Sequence, residues 1–512
     1  MPSDKAFIKK PNDTQSPQAS HHDERNGTYQ FSYSEHIPPK YLGTASDHID
    51  MSQMGKEQVL RVGLSLLALG LTNGGTAGLF WGFISVSAGF ALVFASIAEM
   101  ASMAPTAGGQ YHWVSEFAPR SCQKYLSYIT GWLCTTGWQC AIVTIAYLAG
   151  TTIQGLIILN NSSYSPQMWH GTMLIIAIST FSIIFNTFLA KKLPVVEALL
   201  LILHVVGLCA IIVPLWVLSP RNNARYVFTE FTNKGGWNGI GTSVLVGLPT
   251  VIASMIGFDC AVHMSEEIKD ASMTLPNAIM SSVAVNFVLG LVIFTTVCFT
   301  IGDVESILKT RTGIPFIQIF YNTTENHAAT NAMATLVILA LVASTITEVA
   351  TASRQIWSFA RDRGLPFSKT LSKVTPGWNI PLNSVLISLV VTVLLSLINI
   401  GSTAALNAIT SLTITSLMSA YLISIGCLLY KRIVGEPLPP RRWSLGRWGG
   451  AINAAAMLFL IPIFIFAFFP ASKVVTPVTM NWSIVIYLGI ICFATGYYFA
   501  VGKFNYVPPI VL

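Results

Sequence analysis

Residues Val246–Pro276 read VGLPTVIASMIGFDCAVHMSEEIKDASMTLP. Most of this run is apolar enough to enter a bilayer. Yet Pro249 sets a helix-weakening ring in it, and Ile256-Gly257-Phe258-Asp259 puts a glycine and a carboxylate where a plain span would carry leucine. In hydrocarbon an interrupted helix leaves backbone N–H and C=O groups unpaired, so an interruption persists only where protein, ions or solute satisfy them. Gly/Pro-interrupted spans are the best pointer in a sequence to the binding site of a secondary transporter. The same residues also suit a kinked packing helix with Asp259 snorkelling from its end, and the neighbouring segments have to decide.

Composition narrows the class. Of 512 residues, 53% are hydrophobic and 10% charged, too little polar surface for two or three soluble domains. Eleven segments are long, apolar and nearly free of charge: 77–98, 125–159, 169–190, 194–218, 238–262, 278–302, 328–347, 380–399, 403–430, 448–471 and 480–502. Each meets the roughly 20 residues needed to cross hydrocarbon of ~30 Å, and 125–159 is longer than necessary, so a tilt or a projection is expected. The eight cysteines are scattered singly without a CxxC pair or a His/Cys cluster; neither a disulfide framework nor a metal site is read from them, and no cofactor is called for.

Residues 1–58 are rich in Pro, Ser, Asn, His and mixed charge and lack an apolar run, which predicts a disordered tail on the cytoplasmic side. The transporter domain is then 59–502, followed by a short tail, 503–512. No basic n-region leads into an apolar stretch near Met1, so the first span is expected to act as the insertion signal. Placing connections 101–124, 191–193, 263–277, 348–379 and 431–447 in the cytoplasm gives that side 15 Lys and Arg against six on the other, as the positive-inside rule requires. The sequons at Asn160, Asn161 and Asn322 then face outward, where glycosylation reaches them. The net charge of +7 reads as topology. A nucleic-acid partner would need basic residues gathered on one soluble face.

Several strings carry a resemblance. They are GLTNGG (70–75), AEMASMAPTAGGQYHW (98–113), GWLCTTGWQ and LAGTTIQGLIILN within 125–159, GFDCAVHMSEE (257–267) and SRQIWSFARDRGLPFS (353–368). From about Met54 onward the chain resembles the fungal amino-acid/choline permeases, including the 4-aminobutyrate type, of the amino acid, polyamine and organocation superfamily. The resemblance implies an all-α polytopic bundle of two inverted five-helix repeats, broken first and sixth helices at the substrate site, and two extra C-terminal helices. It departs in one place. Where the family has a full broken first helix, Val62–Leu71 offers ten apolar or small residues, about 15 Å of helix and too short to cross. A segment lost from the gene reading and an altered or inactive relative both account for it.

The residues themselves agree with that resemblance. Pro105, Gly108 and Gly109 form a compact reversal near Glu99, Tyr111 and Trp113. Arg354 and Arg361, with Asp362 and Arg363, lie where they can pair with Glu266 and Glu267 as an inner gate, or anchor helix ends at the interface. His204, seven residues after Glu197, is the titratable candidate for coupling; a neutral core histidine is its alternative. Glu348 reads as near the cytoplasmic end of its helix, preceded by Ser344 and Thr345, whose hydroxyls suit an ion or proton site or simply bond to their own helix. Trp138, Tyr147 and Phe258, with Trp132, are candidates to surround an ammonium group, with Ile256, Gly257 and Asp259 supplying freed carbonyls and negative potential. The reading is a transporter importing a small amine-bearing solute (amino acid, 4-aminobutyrate, choline or polyamine) by proton symport, in a multi-pass membrane location. A non-transporting sensor or inactive paralogue is the alternative from another class, and an enzyme finds no nucleophile or acidic metal motif.

Overall fold

The computed structural model describes residues 58–510, apart from 190–191, 377–379, 402 and 478. The expected disordered tail falls outside the described residues, as does the side chain of Glu197. Among the described residues, eleven helices are long and apolar enough to cross a membrane, and the expected all-α polytopic bundle is what the chain forms.

In chain order the helices are α1 (Gln58–Ser65), α2 (Leu67–Thr72), α3 (Gly75–Met103), α4 (Gln110–Phe117), α5 (Gln123–Asn160), α6 (Met168–Phe188), α7 (Leu193–Leu218), α8 (Ile240–Gly247) and α9 (Pro249–Met255). They continue with α10 (Ala271–Thr300), α11 (His327–Arg361), α12 (Leu382–Gly401), α13 (Thr403–Val434), α14 (Gly449–Phe466) and α15 (Ser483–Tyr497). Short helices cap the connections, and two residues, Asn73–Gly74, pair antiparallel with Thr232–Asn233. The 38 residues of α5 reach about 57 Å at ~1.5 Å per residue, more than a crossing needs, and its first turns pack on α4 through Gln123 and Ser127, which donate to the Ser115 and Tyr111 carbonyls.

The short first segment is folded into the bundle. α1 and α2 pack against α9, and Val62, Leu64, Leu67 and Leu71 are buried. At the interruption the Leu66 carbonyl accepts the Thr250 hydroxyl at 3.0 Å. Gly74 and Gly75 then turn the chain into α3 at φ +121° and +67°, conformations open to glycine and costly for side chains with a Cβ. Gly247 lies so close to Asn73 that a Cβ would overlap its backbone carbonyl.

The stretch 246–267 is bent once and broken once. Pro249 opens α9 immediately after α8 with Leu248 still helical, a proline tolerated at a first turn because it needs no N–H there. The helix stops at Met255. Ile256 is extended, Gly257 has φ +93°, and Cys260–Glu267 continues as a tighter 3₁₀ helix.

Candidate functional site

The break opens on a cavity of about 40 Å³ among α1, α5, α9, α11 and α13. Gly257 and Ile256 line it from the break, Trp138 and Thr144 from α5, Glu348 from α11 and Thr413 from α13. The Thr144 and Thr413 hydroxyls are 3.3 Å apart. Trp138 is buried, its ring 5.4 Å from that of His263 at near-perpendicular tilt, and its indole N–H has no hydrogen-bond partner among the described residues.

Glu348 corrects an expectation. The apolar run suggested a helix ending at 347, but α11 continues to Arg361, which places Glu348 in mid-helix beside the cavity. A hydropathy window ends at the first charge, whereas a helix can carry a charge inward where a polar cavity receives it.

Asp259 is fully buried and is not among the residues lining the cavity. Its carboxylate accepts hydrogen bonds from Gln110 Nε2 and from the Tyr421 hydroxyl, so it ties the broken helix to α4 and α13. Phe258 packs beside Phe94 with centroids 5.2 Å apart. Tyr147 is partly buried against the core and off the cavity lining. His204 is buried on α7, which packs on α10 and α11, also away from the lining. Ser344 and Thr345 are buried on α11, and Thr345 Oγ1 donates to the Leu341 carbonyl of its own helix at 3.1 Å.

The basic connections meet at one end of the bundle. Arg354 Nε donates to Glu267 at 3.0 Å, and Arg361 Nη1 to Glu266 at 2.9 Å. A second cluster had no counterpart in the sequence reading: fully buried Glu99 accepts from Arg432 and, at 3.0 Å, from Arg441 Nε, with the Leu445 N–H at 3.2 Å. Asp270 pairs with Arg442. The Glu99 partners lie more than 300 residues further along the chain, where no local pattern points to them. On α4, Tyr111 donates to Asp362 at 2.8 Å and stands 2.8 Å from the Ser358 hydroxyl. Burial lifts the Asp362 carboxyl to about 6 despite the Tyr111 hydrogen bond and Arg361, and lowers His112 to about 4, which keeps it neutral. The 503–510 segment docks on this end: Tyr506 is buried with its hydroxyl 2.7 Å from Ser127, and the Ile510 carbonyl accepts from Gln123 Nε2 at 3.1 Å. At the opposite end, the Asn160 and Asn331 side-chain amides bond to each other, and Asn161 and Asn322 are exposed.

An interrupted span facing a small cavity, lined mainly by apolar side chains with a few polar ones, among the eleven membrane-crossing helices described defines a membrane transporter. Residues 56–491 match the model of the amino acid permease family, and the chain belongs to that family. It is 30% identical to a putative amino acid/polyamine transporter of Macrophomina phaseolina, over 82% of this chain and 93% of that one. It is 28% identical to the choline transporter of Saccharomyces cerevisiae, covering 85% and 77% of the two chains. The GABA-specific permease of the same yeast is also 28% identical, over 89% and 82%. The protein is therefore a multi-pass transmembrane transporter.

Proposed function

We propose that this permease imports a small amine-bearing solute through the cavity at the Gly257 break, by proton symport, across the plasma membrane. The observation that carries the reading is the juxtaposition of the break with one carboxylate, one indole and threonine hydroxyls. Those groups suit an ammonium, the chemistry shared by amino acids, polyamines, choline and 4-aminobutyrate, after which the relatives are named. The Glu266–Arg361 and Glu267–Arg354 pairs act as the inner gate, with the basic end in the cytoplasm and 1–58 a cytoplasmic tail. Lipid surrounds the bundle, and no catalytic residue is assigned. His204 carries the coupling proton: an imidazole is the side chain whose charge modest changes of solvation can switch.

Uptake of labelled solutes by a host strain lacking its own permeases tests this. Uptake should rise as external pH falls, collapse with a protonophore and ignore sodium replacement. His204→Ala should abolish accumulation against a gradient while sparing exchange. Sodium-dependent uptake, or full accumulation by His204→Ala, refutes the coupling assignment. The short first segment favours a second reading, a sensor without flux, which binding without uptake would identify.

A further inference from the structure

Between the cavity and the inner gate, four buried side chains carry polar atoms with no hydrogen-bond partner among the described residues: the Trp138 indole N–H, His263 Nε2, the Ser265 hydroxyl and both polar atoms of the Gln355 amide. They come from three elements. Trp138 lines the cavity from α5, and His263 and Ser265 stand in 260–267, between the break and Glu266. Gln355 stands on α11 about two turns past Glu348 and beside Arg354, which holds Glu267. α11 packs on both α5 and 260–267. A buried polar atom left unpaired is costly, so this grouping points to a polar group that arrives to pair with it. The imidazole fixes what that group has to offer. His263 Nδ1 is 2.9 Å from the Ala107 carbonyl, and a carbonyl only accepts, so Nδ1 carries the proton and Nε2 of the neutral ring is a bare acceptor. The ring stands 5.4 Å from that of Trp138, nearly perpendicular, so the two rings together offer one acceptor and one donor.

We propose that His263 is a specificity-determining residue for the transported solute: its Nε2 accepts a hydrogen bond from an ammonium N–H as the solute passes Trp138 toward the gate, while the Trp138 N–H donates to an oxygen of the solute. This rests on the transport reading above and narrows its substrate class to amines that retain an N–H. An ammonium N–H donates to imidazole in a charge-assisted bond. A quaternary ammonium has no N–H to give and leaves Nε2 unpaired. His263 is not among the residues lining the cavity, so the discrimination acts on passage toward the gate.

The test uses the full chain and three matched pairs, each an N–H ammonium and its N-trimethyl counterpart: ethanolamine and choline, glycine and N,N,N-trimethylglycine, 4-aminobutyrate and 4-trimethylammoniobutanoate. Maximal uptake rates and half-saturation concentrations are measured in permease-deficient cells for the native protein, His263→Asn and His263→Gln at matched surface level. Asn keeps a donor for the Ala107 carbonyl and lacks the acceptor at the Nε2 position, whereas Gln places an acceptor there. In the native protein at least one N–H member should be taken up at a maximal rate at least about tenfold above that of its trimethyl counterpart. His263→Asn should bring that ratio close to one while half-saturation changes by less than about threefold, and His263→Gln should keep part of the ratio. A merely structural histidine would lower both members of a pair alike, and an unchanged ratio in His263→Asn overturns the proposal. Faster uptake of the trimethyl members by the native protein, or equal uptake within every pair, overturns it and leaves the transport reading standing. Uptake of none of the six overturns it as well, and in that case only uptake of some other amine would keep the transport reading.

Discussion

The phenol of Tyr111 donates to the carboxylate of Asp362 at 2.8 Å, joining the short helix α4 to the end of α11, the helix that carries Glu348 to the cavity. The cavity and the basic end are thus connected through one continuous helix. Asp259 makes a second connection, because Gln110, the neighbour of Tyr111, donates to it.

The Tyr111–Asp362 contact carries a pH signature. Burial raises Asp362 from 3.8 to about 6, so the folded protein holds that proton more tightly than the unfolded chain. Its stabilising contribution is complete below the unfolded value and is lost as pH rises through about 6. The displacement corresponds to roughly 3 kcal/mol. Melting of native protein and Asp362→Asn in detergent from pH 4 to 8 checks this: the native protein should lose stability relative to the variant across that window. A pH-independent difference between them contradicts it.

Glu99 should be the most costly charge to remove at the basic end. It is fully buried and holds Arg432, Arg441 and the Leu445 N–H together. Glu99→Ala is expected to cost about 3–5 kcal/mol, seen as a lowered melting temperature and reduced surface expression. Arg441→Ala leaves Arg432 in place and should cost less. Equal effects would mean that the cluster does not act through Glu99.

Gly257→Ala should impair transport more than folding. At φ +93° an L side chain costs on the order of 1–3 kcal/mol, and the added methyl enters the wall of the cavity. Uptake should fall at least about tenfold at near-normal surface expression. Undiminished uptake would move the solute path away from the break.

Of the three sequons, Asn161 and Asn322 should be the occupied ones. Asn160 is the last residue of α5, and its amide is engaged with Asn331. Asn161→Gln and Asn322→Gln should each remove one glycosidase-sensitive mobility shift, and Asn160→Gln none. A shift lost only with Asn160→Gln reverses the assignment.

What could be read without coordinates follows a physical line. The eleven spans were legible because each needs some 20 apolar residues whatever its neighbours are. The break was legible because glycine and a carboxylate are expensive in hydrocarbon without a local reason. The pairing of Arg354 with Glu267 and of Arg361 with Glu266 was accessible because all four residues cluster at helix ends on one side. Partners brought together only by folding were hidden: Gln110 and Tyr421 on Asp259, and Arg432 and Arg441 on Glu99. Glu348 was misplaced because hydropathy cannot distinguish a helix end from a helix that admits a charge beside a cavity. The docking of Tyr506 against Ser127 depends on a hole in the folded surface, which no local pattern encodes.

The proposed path of a small amine-bearing solute runs through the cavity at the Gly257 break. It is tested most directly by labelled uptake in a permease-deficient host expressing the native chain, with amino acids, 4-aminobutyrate, choline and a polyamine offered in turn. Saturable uptake of at least one amine, above an empty-vector control and accumulated against its gradient, is expected. Chain that reaches the cell surface yet takes up none of these solutes would contradict it.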